Sequence, residues 1–353
     1  MAALTMTTPL RDREFGEDEP VKVSICVITF NHQHYIVQCL EGFLDQVSDF
    51  RIEVLIYDDA STDGTADIIR DYAARYPTVF RTILQAENLY SKGVNPYFAY
   101  VMPKANGEYI AICDGDDYWC DPHKLETQVA VLDSEPDVAL TYGPVQGISE
   151  AGDPVAYVGG IEHDLSPADL KNAPSINTMT ACFRNIYRGT TPSLFIRTAT
   201  IGDVMVWSML GYHGGGRYLT DLKPCFYRVH PNGIHSSKTH ERQLWMAAIA
   251  HMHLAAFHEE QSDPSAANAA FQSTLYLSGL LLRSLPAEQI LRNFETQLRS
   301  LPAEQIIRNF ETQLRSLPAE QIIRNFETQL RELPPRRLFK LWRRAVKNKL
   351  LGR

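Results

Sequence analysis

The sequence predicts an α/β fold, with a mostly parallel sheet flanked by helices and an α-helical region after it. Two observations predict this. From Val21 to Tyr142, short apolar or β-branched runs alternate with stretches of helical spacing, the pattern of βαβ units. Beyond residue 240, long stretches of helical spacing replace the strand-like runs.

Taken in order, VKVSICVIT (Val21–Thr29) is a β-branched run suited to a strand covered on both faces. His34 to Leu44 places Ile36, Leu40, Phe43 and Leu44 on one helical face. EVLIY (Glu53–Tyr57) is the second strand, and Thr65–Tyr76 is a helix after an S-T-D-G turn. Phe80–Leu84 and EYIAIC (Glu108–Cys113) are the third and fourth strands. Pro122–Leu132 is a helix whose proline sits near the first turn, where a missing N–H costs nothing. VALTY (Val138–Tyr142) is the fifth strand. Residues 145–200, rich in Gly, Pro, Asn and Thr, resist assignment. After them come a short helix at Val204–Leu210, a strand CFYRV (Cys225–Val229), and helices at Glu241–His258 and Ser265–Leu282.

A 16-residue unit then repeats. RSLPAEQILRNFETQL begins at Arg283, and RSLPAEQIIRNFETQL recurs at Arg299 and Arg315, changed only from Leu291 to Ile307 and Ile323. One proline per unit breaks or kinks the helix. Such copies add helices without adding chemistry, or form a surface for a partner or oligomer. The expected organisation is a flexible leader over 1–20, an α/β domain in two halves over 21–142 and 143–240, a helical region over 241–335 with repeats at 283–330, and a basic amphipathic helix over 336–353.

Length and composition bound the rest. The chain has 353 residues, 44% of them hydrophobic, enough for one or two packed units. A net charge of -8 argues against a nucleic-acid binder. The six cysteines are scattered without a C-x-x-C pair, as in a reduced, cytoplasmic protein. No apolar run approaches the roughly 18 residues that a spanning helix needs. Residues 336–353 carry eight Lys or Arg and no acid. Their apolar side, with Phe339 and Trp342, suits an anionic lipid surface, so a peripheral position on the inner face of a membrane is expected. The alternative is docking on the acidic remainder of the chain.

The chemistry concentrates at strand ends, where ligands bind in open α/β sheets. The first strand ends in Thr29-Phe30-Asn31, the second in Asp58-Asp59-Ala60-Ser61, the fourth in Asp114-Gly115-Asp116-Asp117. Turns favour single Asp residues, but two acidic ends in one sheet repel unless donors and a cation lie between them. The D-x-D of Asp114 and Asp116 is the candidate for a hard cation, Mn²⁺ or Mg²⁺, bridging to phosphate oxygens.

FNHQHYI, DDASTDGT, NGEYIAICDGDDYW, GDVMVW and YRVH together resemble glycosyltransferase family 2, with the GT-A fold. The resemblance covers roughly 21–235, and implies that 21–142 is the nucleotide-sugar-binding half and 143–240 the acceptor-side half of the domain. It implies a nucleoside-diphosphate-sugar donor, a divalent metal, inversion at the anomeric carbon, and a glycan or lipid-linked acceptor. Carried over, Thr29 and Asn31 line the nucleotide pocket, Asp58 or Asp59 bonds the base, and Asn88 lies near it. Asp114 contacts ribose or sugar and shares the metal with Asp116. Asp203 falls at the general-base position, and Arg228 and His230 lie in a segment closing over the diphosphate. The family often has Glu-Asp at the base, whereas Gly202 precedes Asp203 here. The Q-x-x-R-W motif of processive members is absent, and 236–353 offers no family motif. Plainer roles exist: Asp203 as a helix N-cap, Asp58 and Asp59 in an Asx turn, His230 and His235 as loop residues, and Trp119 as packing beneath the site. His251, His253 and His258 read as helix residues, not a zinc site. The rival classes are a nucleotidyltransferase, disfavoured because FNHQHYI has neither Gly nor Lys, and a non-enzymatic scaffold, disfavoured by the intact acids.

Overall fold

The computed structural model describes residues 8–284, apart from 17, 157, 158, 191, 193, 198, 200, 232 and 234–238. The chain divides into two compact units at Lys238/Thr239.

In the first unit, β1 (Thr8–Pro9) precedes β2 (Val21–Thr29), α1 (Ile36–Leu44), β3 (Val47–Ser48), β4 (Arg51–Asp58), α2 (Thr65–Arg75) and β5 (Phe80–Leu84). Then come β6 (Tyr109–Ile112), α3 (Lys124–Ser134), β7 (Val138–Tyr142), β8 (Val145–Ser149), α4 (Pro167–Lys171) and β9 (Cys182–Arg184). The unit closes with α5 (Leu194–Arg197), α6 (Gly202–Leu210), β10 (Gly215–Tyr218) and β11 (Cys225–Val229).

Seven strands form the central sheet in the order β10-β7-β9-β6-β2-β4-β5. β2 pairs parallel with β4 and β6, β4 with β5, and β7 with β10. β9 alone runs antiparallel, between β6 and β7. β11 leaves this sheet and pairs parallel with β8. The α/β class, the mostly parallel sheet and the helical C-terminal region agree with expectation.

The inner strands β2, β4 and β6 are buried along almost their whole length. Val23, Ile25 and Val27 of β2 and Ile52, Val54 and Ile56 of β4 join Ile36, Leu40 and Phe43 of α1 and Ile69 and Tyr72 of α2 in one core. The stretch that resisted assignment contains short pieces. α4 is set by a capping box, in which Ser166 Oγ accepts from Asp169 N while the Asp169 carboxylate accepts from Ser166 N. β9 has three residues, too few for any periodicity to register.

The leader corrects one expectation. Residues 8–16 and 18–20 are packed against the domain, not flexible. β1 pairs with β3, and Leu10 and Phe15 are buried. Arg11 pairs with Glu41 and Asp45, while Arg13 lies over the Phe15 ring and donates to the carbonyls of Ser48 and Phe50.

The second unit opens with a helical hairpin of α7 (His240–Glu260) and α8 (Pro264–Ser284). Thr239 caps α7 by accepting from Arg242 N at 3.3 Å, and Asp263 caps α8 by accepting from Ala266 N at 3.0 Å. Ser262 takes the left-handed conformation (φ 57°) that turns one helix into the next. His253 and His258 are buried on α7 and His253 Nδ1 contacts the Ile249 carbonyl at 2.9 Å, as helix residues do. The second and third repeats, most of the first, and the basic helix 336–353 lie outside the described residues.

Candidate active site

β6, β2 and β4 lie side by side and parallel, so their C-terminal ends open on one edge of the sheet. Register places Thr29 opposite Asp58 and Cys26 opposite Ile112. Residues 29–33, 58–65 and 113–117 therefore share that edge.

The first two loops are bound to each other. Asn31 adopts φ 59° and Ala60 φ 61°, a left-handed conformation that costs any residue except glycine. Side-chain bonds hold both turns in place. Asn31 Oδ1 accepts from Thr62 N at 2.8 Å, Asn31 N donates to Ser61 Oγ at 2.8 Å, and His32 N donates to Thr65 Oγ1 at 2.9 Å. Asp58 accepts from Thr29 Oγ1 at 2.9 Å, from Ser61 N at 3.0 Å and from Ser61 Oγ. Asp59 accepts from Tyr57 Oη at 2.9 Å and from the N–H groups of Leu89 (2.8 Å) and Tyr90 (3.0 Å). Asn88, next to that turn, accepts from Ser91 N at 2.7 Å. Thr29, Asn31, Asp58, Asp59 and Asn88 thus form one connected floor. Asp58 meets a local turn donor, as an Asx-turn reading anticipates, whereas the backbone donors of Asp59 come from Leu89 and Tyr90, far along the chain.

The third loop carries the charge. Gly115 lets it approach β2, since a Cβ there would lie 2.5 Å from Thr29 Cγ2. Asp114 Oδ1 accepts from Tyr97 Oη at 2.6 Å. Asp116 Oδ2 lies 2.9 Å from His230 Nε2 and 3.7 Å from His32 Nε2. Asp117 Oδ1 accepts from Arg228 N at 2.8 Å. Burial, then the charge of Asp116, pushes the Asp114 carboxyl up to about 7, and Asp203 adds to the repulsion. Asp117 is raised well above the usual carboxylate range by burial and by Asp116. Burial acts on Asp116 too, but His32 and His230 outweigh it and hold this carboxyl below its usual range. Burial lowers His32 in turn, against the pull of Asp116.

Asp203 sits in the first turn of α6 and is not its cap, which is Ile201. Its Oδ1 accepts from Val204 N at 2.9 Å. It lies near enough to Asp114 to bear on that carboxyl, and at the helix N-terminus, where negative charge is favoured. Gly202 leaves room for Asn95, since a Cβ there would come within 2.7 Å of Asn95 Nδ2.

Arg228 is committed inside the protein. Its Nε donates to the Asp116 carbonyl at 3.0 Å, Nη1 to the carbonyls of Ser149 (3.4 Å) and Glu150 (3.3 Å), and Nη2 to Gln38 Oε1 at 2.8 Å. The guanidinium lies over Tyr35, 4.9 Å from the ring centroid, and Tyr35 Oη donates to Glu150 at 2.6 Å. Arg228 thereby bolts β11 to the DGDD loop and carries His230 to Asp116. Trp119 is packing, with Nε1 donating to the Met179 carbonyl at 2.7 Å and its ring 4.8 Å from Phe43. His235 lies outside the described residues.

The structure therefore brings Asp114, Asp116, Asp203, Arg228 and His230 to one end and Thr29, Asn31, Asp58, Asp59 and Asn88 to the adjoining floor. Sequence reasoning missed Tyr97, His32, Gln38 and Asp117. Asp117 was adjacent to the motif and detectable as a third acid, whereas the other three owe their places to long-range packing.

The donor set fits a divalent cation shared with a phosphate. Asp114 and Asp117, both raised by burial and by the charge of Asp116, favour protonation without a further counter-charge, and a cation would relieve that. Among the described residues, no group of three His, Cys, Asp or Glu is disposed to hold a metal alone. Mg²⁺ is usually bound by one or two carboxylates with substrate phosphates completing the shell.

Residues 24–182 match the Glycosyl transferase family 2 profile. Uncharacterized proteins of Mycobacterium tuberculosis and Mycobacterium bovis are 37% identical over 232 residues, 63% of this chain and 63% of theirs. The match thus spans less than two thirds of those relatives. The poly(ribitol-phosphate) beta-glucosyltransferase of Bacillus spizizenii is 27% identical over 154 residues, 43% of this chain and 23% of that one. Among solved structures, S. aureus TarS 1-349 in complex with UDP-GlcNAc gives a TM-score of 0.49 at 17% identity, over 76% of this chain and 82% of that one.

Proposed function

We propose, for a chain whose residues 24–182 match the glycosyl transferase family 2 model, that it moves a sugar from a nucleoside-diphosphate sugar to a hydroxyl of a glycan or lipid-linked acceptor, with inversion and with Mn²⁺ or Mg²⁺. The observation that carries this reading is the gathering of half-buried Asp114 and Asp116 and buried Asp117 beside His230, with Asp203 close by on a different element.

In this reading the floor from Thr29 to Asp59 receives the nucleoside, and Asp114 and Asp116 face the diphosphate and sugar. A bound divalent cation would supply charge neutralisation on the leaving diphosphate. His230 stands beside Asp116, where it steadies that carboxylate. Arg228 acts by holding the β11 end in place. Asp203 takes the proton of the acceptor hydroxyl as its oxygen attacks the anomeric carbon. The bond from that carbon to the diphosphate oxygen breaks, and its electron pair leaves with the nucleoside diphosphate. Attack from the face opposite the leaving group inverts the centre.

The acceptor belongs, in this reading, to bacterial surface-glycan synthesis, as the name of the Bacillus spizizenii relative suggests for that protein. Residues 143–240 form the acceptor side, and the basic segment 336–353 holds the enzyme on an anionic membrane surface. No helix among the described residues is long and apolar enough to cross a membrane. The test is release of nucleoside diphosphate from a panel of UDP-, GDP-, CDP- and dTDP-sugars, with Mn²⁺ or EDTA. Turnover of one donor with Mn²⁺ and not with EDTA supports the proposal, and inertness toward the whole panel overturns it.

A further inference from the structure

Between β5 and β6 the chain makes a single π-helical turn over Tyr97–Val101, followed by a 3₁₀ turn over Met102–Lys104. Isolated π turns are rare and gather at functional sites. This one touches Asp114 directly and is linked through neighbouring residues to Asp59 and to the approach to Asp203. Tyr97, at its start, donates its hydroxyl to Asp114 Oδ1 at 2.6 Å. Tyr100, three residues on, stacks on Tyr57 at 5.6 Å and 24°, and Tyr57 Oη donates to Asp59 at 2.9 Å. Asn95, just before the turn, is tied to the approach to α6. Asn95 N donates to the Arg197 carbonyl at 2.8 Å and Nδ2 to the Ala199 carbonyl at 3.1 Å, while Oδ1 accepts from Tyr97 N at 3.1 Å. Gly202, next to Asp203, packs against the same amide. Phe98 anchors the turn in the core, fully buried and 5.9 Å from the Tyr187 ring.

We propose that Asn95 and Tyr97 fix the mutual positions of Asp114 and Asp203, as positioning residues for the donor acid and the acceptor-side base. The inference rests on the transferase reading above. Asn95 connects the segment bearing the base to the turn that bears Tyr97. The Tyr97 hydroxyl occupies Asp114 Oδ1, directing the remaining oxygen to cation and ligand. Partners at this distance from a ligated cation orient the ligand without touching it, and their loss typically costs about 10- to 100-fold in metal affinity.

The test compares Tyr97→Phe with Tyr100→Phe. Each removes one hydroxyl from the same turn, but phenylalanine at 100 preserves the ring stack on Tyr57. The probe is whichever of UDP, GDP, CDP and dTDP the wild-type protein binds most tightly with Mn²⁺, titrated calorimetrically with Mn²⁺ and with EDTA. Tyr97→Phe is expected to weaken the Mn²⁺-dependent affinity about 10- to 100-fold, leaving the affinity in EDTA and the melting temperature of the free protein unchanged. Tyr100→Phe is expected to match wild type throughout. Equal behaviour of the two variants overturns the proposal. So does a loss in Tyr97→Phe that persists in EDTA, or a Tyr97→Phe protein that melts well below wild type or does not fold, because the hydroxyl would then serve the fold. Absence of Mn²⁺-dependent binding in the wild type removes the transferase reading and this inference with it, whereas binding unaffected by Tyr97→Phe removes this inference alone.

Discussion

Neighbouring acids at 114, 116 and 117 are not equivalent. His32 and His230 keep Asp116 ionised, whereas burial and mutual repulsion raise Asp114 and Asp117. Asp116→Ala is therefore expected to abolish Mn²⁺-dependent nucleotide binding, measured by calorimetry with and without EDTA; undiminished affinity would remove Asp116 from the metal site. A cation requires deprotonated ligands. With Asp114 at about 7, Mn²⁺-dependent affinity is expected to fall as pH drops through that value, because the proton then competes with the cation. Asp114→Asn should flatten that part of the profile, and a variant retaining the full slope would assign it to another group. Asp203→Asn keeps the shape and loses the proton acceptor. Nucleotide binding should survive while transfer slows about 10²- to 10⁴-fold; near wild-type turnover would place the base elsewhere. Much at this scale was legible, because acids at strand ends are conspicuous in sequence. The commitment of Arg228 to Gln38 and three carbonyls was not, since Gln38 lies 190 residues away. Nor was the meeting of Tyr97 with Asp114, which depends on a π turn that no apolar period announces.

Among elements, the parallel strands and long helices were legible from their patterns, since β2 and β4 are dominated by apolar and β-branched residues and α1 and α2 carry clear stripes. β8, α4, β9 and α5 were not. β9 is three residues long, and its antiparallel place between β6 and β7 is decided by the edges those strands leave open. The leader was misread because its anchoring lies in long-range contacts of Leu10 and Phe15, with few local signals. Leu10 is 1% exposed, and truncating a buried leucine costs about 2–5 kcal/mol. Leu10→Ala should lower the unfolding midpoint in urea accordingly, and a change within error would show that the segment is merely laid on the surface. Gly115→Ala tests the seating of the DGDD loop. A Cβ 2.5 Å from Thr29 Cγ2 forces the loop outward, with an overpacking cost of about 1–3 kcal/mol. Mn²⁺-dependent binding should weaken along with stability; a variant bound as tightly as wild type would mean the loop need not touch β2.

For the molecule as a whole, the sheet edge, the DGDD loop and the first turn of α6 all lie in the unit that ends at Lys238. The 16-residue repeats fall beyond it in sequence, and near-identical copies carry no residue type that the proposed chemistry lacks. The measurement that bears most directly on the transferase reading is nucleoside-diphosphate release from the sugar-nucleotide panel by wild type, Asp116→Ala and Asp203→Asn side by side, each with Mn²⁺ and with EDTA. Wild type should turn over one donor class only with the cation. Asp116→Ala should neither bind nor turn over, and Asp203→Asn should bind and turn over at a small fraction of the wild-type rate. Release that is indifferent to EDTA and to both substitutions would contradict the assignment of these acids to the chemistry.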